Sequence, residues 1–537
     1  MKNIRYKVLS GTLMAIMGLS FASCSLDLSP VDYYGSSNYW SNKEQVTAYV
    51  DGMAKNMRDA SFNHTILFGE MRGGQHIVGT CADGSSSDYG ELCLQNLSVE
   101  NYGVANFGNY YGYLANVNLF IDRVEKATFL SDADKAYYLG IGYGMRAFYY
   151  FDLYRIYGSC PLRLTPDVID GELDVTKLYM TRNKGSEVLA QIKSDIQKSI
   201  DNFGTVTSFD PNNRGNKKSY WSKAATEMLA GEVYLWSSKV AVDDQNANTG
   251  DLSTAKKYFE DVMNNYGLSL QSNFANVFNA GNKGNSEVIM AVRFAEGEAT
   301  NSNYIYTYNI GTGQTSGNAF MRDGSKFVDP LQLAGASGVQ RVEYKKQMYD
   351  QFDETDSRRD ATFLTSWNKD ASGNLVWRGC YVCKNIGEIS STTKLRVWDG
   401  DYIIYRLPEV LLSLAEIANM EGDGATVAKY INMVRERAYG TNWADQYKYT
   451  ATNDFTTNEL SILKEKDKEF IQEGQRWYDL RRMTLTKGGK HLIFCKEGNV
   501  EGTEPLLNES TEAYKVLWPL NTSLLSNDKA LTQTPGY

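Results

Sequence analysis

Apolar residues recur at helical spacing over most of this chain and lose that spacing in one long stretch. The periodicity predicts helices over 43–58, 104–126, 132–157, 184–203, 220–240 and 252–266. Within 132–157, Tyr143, Ala147, Tyr150, Phe151 and Tyr154 fall on one face, and Phe148 and Tyr149 widen it. A helix apolar on so many sides is expected to be buried all round. Gly158 and Pro161 mark its end. Between about 268 and 400, Gly, Ser, Asn, Thr and Tyr dominate, with short β-rich pieces such as Val288-Ile-Met-Ala-Val-Arg293. This texture predicts loops and small strands inserted into a helical scaffold, the part of a compact protein that commonly carries function. Helical spacing then returns over 402–421 and 424–438.

Two of these helix pairs repeat one another. Leu229-Ala-Gly-Glu-Val-Tyr-Leu-Trp236 with Thr254-Ala-Lys-Lys-Tyr-Phe259 corresponds to Leu412-Ser-Leu-Ala-Glu-Ile-Ala418 with Thr426-Val-Ala-Lys-Tyr-Ile431. Glu232 matches Glu416, and Lys257-Tyr258 match Lys429-Tyr430. Small residues beside the glutamate let a second helix pack closely, as in a tetratricopeptide-type hairpin. The pair 132–157/184–203 extends the set.

The first 24 residues carry Lys2, Arg5 and Lys7, an apolar run from Val8 to Ala22, and then Cys24. That order is a secretory signal over 1–23, and Phe21-Ala-Ser-Cys24 has the ending of a lipobox, so Cys24 is the expected site of acylation. The run is too short to span a bilayer. Export makes disulfides permissible. Cys81 and Cys93 flank a Gly/Ser-rich stretch and are candidates for a bridge. Cys380-Tyr-Val-Cys383 has redox or zinc spacing, but no second such pair exists, and thiols three apart in a strand point to opposite faces. A formal net charge of −9 argues against a nucleic-acid partner.

Several ordered segments complete the pattern. They include Arg146-Ala-Phe-Tyr-Tyr-Phe-Asp-Leu-Tyr-Arg-Ile-Tyr-Gly158, Tyr405-Arg-Leu-Pro-Glu-Val-Leu-Leu412, Val434-Arg-Glu-Arg-Ala438, Arg476-Trp-Tyr-Asp-Leu-Arg-Arg482 and the terminal Gln533-Thr-Pro-Gly-Tyr537. The set resembles the SusD/RagB family of outer-membrane nutrient-binding lipoproteins. Lys466 departs from it, standing where the family usually has Arg. The resemblance implies a mainly α, SusD-like fold of tetratricopeptide-type hairpins with a loop-rich, minor-β ligand-binding portion. It divides the chain into the signal 1–23, an N-terminal helical region 24–267 and a C-terminal region 268–537. The latter contains the loop-rich insert 268–400 and helices over 402–486. It also implies a non-catalytic, surface-exposed glycan-binding protein, tethered to the outer membrane by lipid alone, that partners a SusC-like TonB-dependent transporter. No cofactor or metal is implied. A lid for another nutrient, such as peptides, is the alternative on the same scaffold, and a secreted glycoside hydrolase is a more distant one.

The charged motif residues Arg146, Glu416, Arg435, Glu473, Arg476 and Asp479 are expected to be paired inside the helical array, since buried charge survives only when paired. Trp477 among them is expected in the core. There is no G-x-S-x-G, H-E-x-x-H or phosphate loop, and His64, His76 and His491 are too scattered for a triad. Asp244-Gln-Asn-Ala-Asn-Thr-Gly250 alternates oxygen ligands as calcium loops do, but lacks the glycine and closing glutamate of one. Sugar rings present C–H faces to aromatic side chains and hydroxyls to planar polar groups. Two regions mix those residue types: 66–90, with Arg72, Gln75, His76, Asp88 and Tyr89, and 300–380, with Tyr304, Tyr306, Trp367 and Trp377. The ligand contacts are expected among these.

Overall fold

A computed structural model describes residues 39–79, 85–100, 106–166, 178–209, 211, 215, 218–301, 319–329, 331–332 and 340–537. Seven long helices open the described chain: α1 (Lys43–Phe62), α2 (Ser85–Cys93), α3 (Asn106–Lys126), α4 (Asp132–Tyr157), α5 (Gly185–Phe203), α6 (Lys223–Lys239) and α7 (Asp251–Asn265). α4 begins where Ser131 Oγ accepts the Asp134 backbone N–H at 3.1 Å and stops at Gly158. Every residue of α4 from Gly140 to Tyr157 is buried, as its all-round apolar pattern requires.

The helices form a continuous array. α4 lies between α3 and α5, α5 packs on α6, and α6 on α7. α7 then packs on α10 (Leu407–Glu421), which packs on α11 (Gly424–Tyr439) and α12 (Phe455–Glu469). The repeat in the sequence is thus a repeat of helical hairpins, α6–α7 and α10–α11. Gly231 shows why small residues stand there: a Cβ at that position would lie 2.6 Å from the Phe259 ring of α7. Its neighbour Glu232 faces Arg155 of α4 at 3.6 Å, and the matching Glu416 lies 2.8 Å from both Lys239 and Arg482.

Five of the six described strands come from the polar stretch and its border, β2 (Val288–Val292), β3 (Val342–Tyr344), β4 (Phe363–Lys369), β5 (Leu375–Val382) and β6 (Tyr402–Arg406), and β1 (His76–Val78) precedes them in the N-terminal region. They pair antiparallel as β1 with β3, β2 with β6 and β4 with β5. Two short helices, α8 (Lys346–Asp350) and α9 (Ser357–Thr362), sit between β3 and β4. The helix expected over 402–421 is corrected at its start. Tyr402-Ile-Ile-Tyr-Arg406 is a buried strand, and α10 begins only at Leu407 with Pro408 in its first turn. β-branched and aromatic residues favour the strand, and proline is tolerated at a helix start but disfavours helix just before it.

The hydrophobic core runs unbroken from the first helices to the C-terminal segments, which close over them. After α12, the chain turns at Gly474 into α13 (Arg476–Arg482). Gly474 has φ +77° and lies so close to α1's continuation that a Cβ would stand 2.4 Å from Thr65 Cα, so only glycine fits. α14 (Glu509–Glu512) and α15 (Thr522–Asn527) complete the described elements.

Candidate functional site

The polar stretch sets Phe363, Trp367, Trp377 and Tyr381 on one hairpin, β4–β5. Its turn is written in Asp370-Ala-Ser-Gly-Asn374: Asp370 Oδ1 accepts the backbone N–H groups of Ser372 and Asn374, each at 2.8 Å, and Gly373 takes φ +86°. Those bonds, the Asn374 amide first, hold the Asp370 carboxyl below its ordinary value. A further extended segment adds to β4, where Phe320 and Trp367 exchange backbone hydrogen bonds of 2.8 and 2.9 Å. Phe320 also bridges to Lys326.

Residues directly opposite one another in antiparallel strands project from the same face. Lys326, Phe320, Trp367 and Trp377 therefore form one row across the sheet. The two indoles meet edge to face, with centroids 5.4 Å apart at 89°, and Tyr349 of α8 continues the row 5.4 Å beyond Trp377. Lys369, two residues on from Trp367, holds its ammonium 4.3 Å from the Phe320 ring centre. Both tryptophans are half-buried, so each offers part of its surface while its neighbours fix its orientation. Trp367 Nε1 donates to Thr365 Oγ1 at 3.0 Å. At the Tyr349 end, Arg322 is paired with Glu354 and Arg359 with Asp360.

Buried ions anchor both feet of this hairpin. Just before β4, the Arg358 guanidinium donates to Asp356 at 2.8 and 2.9 Å, to Glu465 at 2.7 Å and to Glu469 at 3.1 Å. Just after β5, Lys384 Nζ lies 2.7 Å from Glu473 and 2.9 Å from the Glu469 carbonyl oxygen. Burial lowers the Lys384 ammonium pKa, and Glu473 works against that. Arg406 bonds Glu287, Glu469 and Glu473, and Arg437 bonds Glu287 and Glu469, which closes the network. Burial acts to raise the Glu469 carboxyl, and the three guanidiniums outweigh it, so the pKa is depressed. The hairpin is thereby fixed to the helical array as a rigid platform.

Elsewhere the charged motif residues are paired as expected. Arg146 makes two 2.8 Å bonds to Asp195, Arg435 lies 2.7 Å from Glu465, Arg476 bonds Asp467, and Asp479 bonds Lys466 at 2.8 Å and Arg482 at 2.6 Å. Lys466 thus fills the place of the usual arginine with a single point contact. Asp244 of the calcium-like loop is used by α5, accepting from Ser186 N at 3.0 Å and Ser186 Oγ at 2.6 Å. No group of three metal-ligating side chains occurs among the described residues.

Four expected ligand contacts, Arg72, Gln75, His76 and Tyr89, are corrected by burial. Arg72 is 1% exposed, stacks 4.1 Å from the Trp477 ring centre and bonds Gln95 at 2.9 Å and the Lys515 carbonyl at 2.8 Å. Burial lowers its pKa to about 10. His76 is packed against Tyr344 and 3.9 Å from Glu70, and burial lowers its pKa to about 3. Tyr89 is buried as well. Arg72 lies beneath the C-terminal segments, and His76 packs within the β1–β3 pair against Tyr344. Tyr304, Tyr306, Cys24 and Cys81 lie outside the described residues, as does the Asp88 side chain. Cys93 carries a free thiol 3.7 Å from the Met71 sulfur, and Cys380 and Cys383 are free. Burial pushes the Cys93 and Cys383 thiols up to about 12, away from thiolate chemistry.

Trp367 and Trp377, read separately from the sequence, are brought into contact. Phe320, Lys326, Tyr349 and Lys369 join them without having been singled out. The alternation around Asp370-Ala-Ser-Gly-Asn374 is the signal that marks the hairpin.

This architecture has solved relatives. The structure of a SusD superfamily protein from Bacteroides fragilis superposes with a TM-score of 0.87 at 55% identity, covering 93% of this chain and all of that one. The chain belongs to the SusD family. The family model described as "SusD family" matches residues 370–537, and one described as "Starch-binding associating with outer membrane" matches 26–235. NanU of B. fragilis is 30% identical with a TM-score of 0.78, over 95% of this chain and all of NanU. A surface glycan-binding protein from Bacteroides thetaiotaomicron, solved with laminarihexaose, shares this SusD fold at 19% identity and a TM-score of 0.66, over 92% of this chain and all of that one.

Proposed function

We propose that this SusD-family protein is a non-catalytic glycan-binding lipoprotein of the outer membrane, held there by acylation at Cys24. It captures oligosaccharides at the cell surface and passes them to a SusC-like TonB-dependent transporter. The observation that carries the proposal is the half-exposed Trp367–Trp377 pair on a hairpin pinned at both feet. Aromatic faces held in place before binding cost little to order, and aromatic anchors concentrate binding energy. The starch-binding family matched by the N-terminal region and the laminarihexaose complex of the more distant relative support sugar as the ligand class. Supporting a binding role over catalysis, Glu354 and Asp360 at the Tyr349 end of the platform are tied to Arg322 and Arg359, and Asp370 is held within its own turn.

A glycan array combined with a reducing-end assay tests the proposal. Binding without release of new reducing ends is expected, and Trp367→Ala and Trp377→Ala are each expected to weaken it at least tenfold, about 1.4 kcal/mol. Release of reducing ends overturns the non-catalytic role. Undiminished binding by both variants, with stability intact, removes the hairpin from the site.

A further inference from the structure

The edge of the aromatic row carries an imbalance of charge. Between Ser366↔Gly379 and Trp367↔Trp377 the register of β4–β5 shifts, and β5 holds one extra residue, Arg378, with no partner across the hairpin. A bulge of this kind re-aims a side chain and is common beside binding sites. Arg378 is half-buried, yet its guanidinium has no hydrogen bond, ion pair or ring contact among the described residues. Each other arginine among the described residues has at least one, including the nearby Arg322 and Arg359. Lys326 and Lys369, at the other end of the same row, have no ion pair among the described residues either. Of the carboxylates of this region, Glu354 and Asp360 pair with arginines and Asp370 bonds within its own turn, while Glu343 is buried beside β5, its Oε2 3.4 Å from where a Cβ on Gly379 would stand.

We infer that the ligand of the Trp367–Trp377 platform is an acidic oligosaccharide, one bearing a carboxylate or sulfate, and that Arg378 reads the anionic group. This rests on the platform being the glycan site proposed above. A planar guanidinium matches the two oxygens of a carboxylate or sulfate, and a half-buried position strengthens that contact relative to open water. Stacking on the indoles sets the ring, and the extra residue of the bulge stands at its edge. Lys326 and Lys369 add positive potential along the row. The overall charge of −9 does not oppose this, because charges farther off than about 8 Å are largely screened at physiological salt.

The test is an array of uronate-bearing, sulfated and neutral oligosaccharides at physiological salt, followed by titration of the strongest binder of each class. Acidic glycans are expected to bind best, with the relative strength of the uronate and sulfate arms naming the group. Arg378→Gln is expected to cost at least tenfold on acidic binders and to leave the melting temperature unchanged, since no hydrogen bond or ion pair within the fold is lost and glutamine keeps part of the stem. Arg378→Lys is expected to recover part of the loss, keeping charge without the fork. Neutral glycans as the strongest binders, or an Arg378→Gln affinity equal to the wild type's, overturns the inference while leaving the platform standing. No binding to any glycan overturns the platform reading itself, and the inference with it.

Discussion

Replacing Arg358 with methionine isolates the anchor beneath the hairpin. Methionine keeps most of the volume and removes four charge-assisted hydrogen bonds to Asp356, Glu465 and Glu469. The three carboxylates do not suffer equally. Glu465 keeps Arg435 at 2.7 Å, and Glu469 keeps Arg406 and Arg437. Asp356 keeps the backbone N–H of residue 358 at 3.1 Å, but its remaining counter-charge among the described residues is Lys468, at 3.9 Å. Uncompensating a buried pair costs about 3–5 kcal/mol. For about 500 residues at about 2.1 cal/mol/K each, the unfolding entropy is about 1 kcal/mol/K, so the melting temperature should fall by about 3–5 °C at pH 7. The pH dependence follows from the same groups. Burial acts to raise the Asp356 carboxyl, and Arg358 more than reverses it, so its folded pKa is depressed, as is that of Glu469. Depressed carboxylates stabilise the fold above their unfolded values of about 4 and lose that contribution as pH falls through the folded values. In the variant, Asp356 stays buried without its partner and takes up a proton more readily. The gap between the two proteins should therefore be widest at pH 7 and narrow towards pH 4. Calorimetry at both values checks this. A gap under 1 °C at pH 7, or one that widens on acidification, refutes the reasoning.

Trp477→Ala, which empties a buried site and uncovers the stacked Arg72, should cost about 3–5 kcal/mol and leave glycan binding in place. A fully stable variant that no longer binds would contradict its placement in the core. Glu70 is fully buried, and burial lifts its pKa to about 7 against the bonds from Tyr344, Gln472 N and Gly474 N. A raised carboxyl stabilises below its unfolded value of about 4.3, and that contribution is lost as pH rises through about 7, at up to about 1.4 kcal/mol per pH unit. Glu70→Gln should thus gain stability relative to the wild type between pH 5 and pH 8, and a constant difference across that range would count against it. Cys24→Ala should release the protein from detergent-free membrane pellets, with continued pelleting as the contrary result.

The long helices were legible because a buried helix must repeat its apolar residues every 3.6 positions and end at caps. α4 spans Asp132–Tyr157 as read from Gly158, Pro161 and the tyrosine face. The strand Tyr402–Arg406 was not separable from the helix after it, since a short apolar run carries no period of its own and only pairing with β2 decides it. The tryptophans of the hairpin were visible as residues but not as a pair. Their contact depends on a register shift that leaves Arg378 over, and nothing local announces a bulge.

What the sequence by itself determined was the helical array, its repeated hairpins and the need for its motif charges to be paired. Those follow from periodicity and from the cost of burying an unpaired ion, both properties of short segments. Only the tertiary structure decided which charges meet. Arg437 finds Glu287 150 residues away, and Arg72, His76 and Tyr89 pass from an apparent polar loop into the interior. Arg72 is enclosed because Trp477 and Trp518 arrive from the far end of the chain and close over it. Exposure belongs to the packed molecule, so a side chain's chemistry can be read along the chain, but its access to a ligand is set by what folds on top of it.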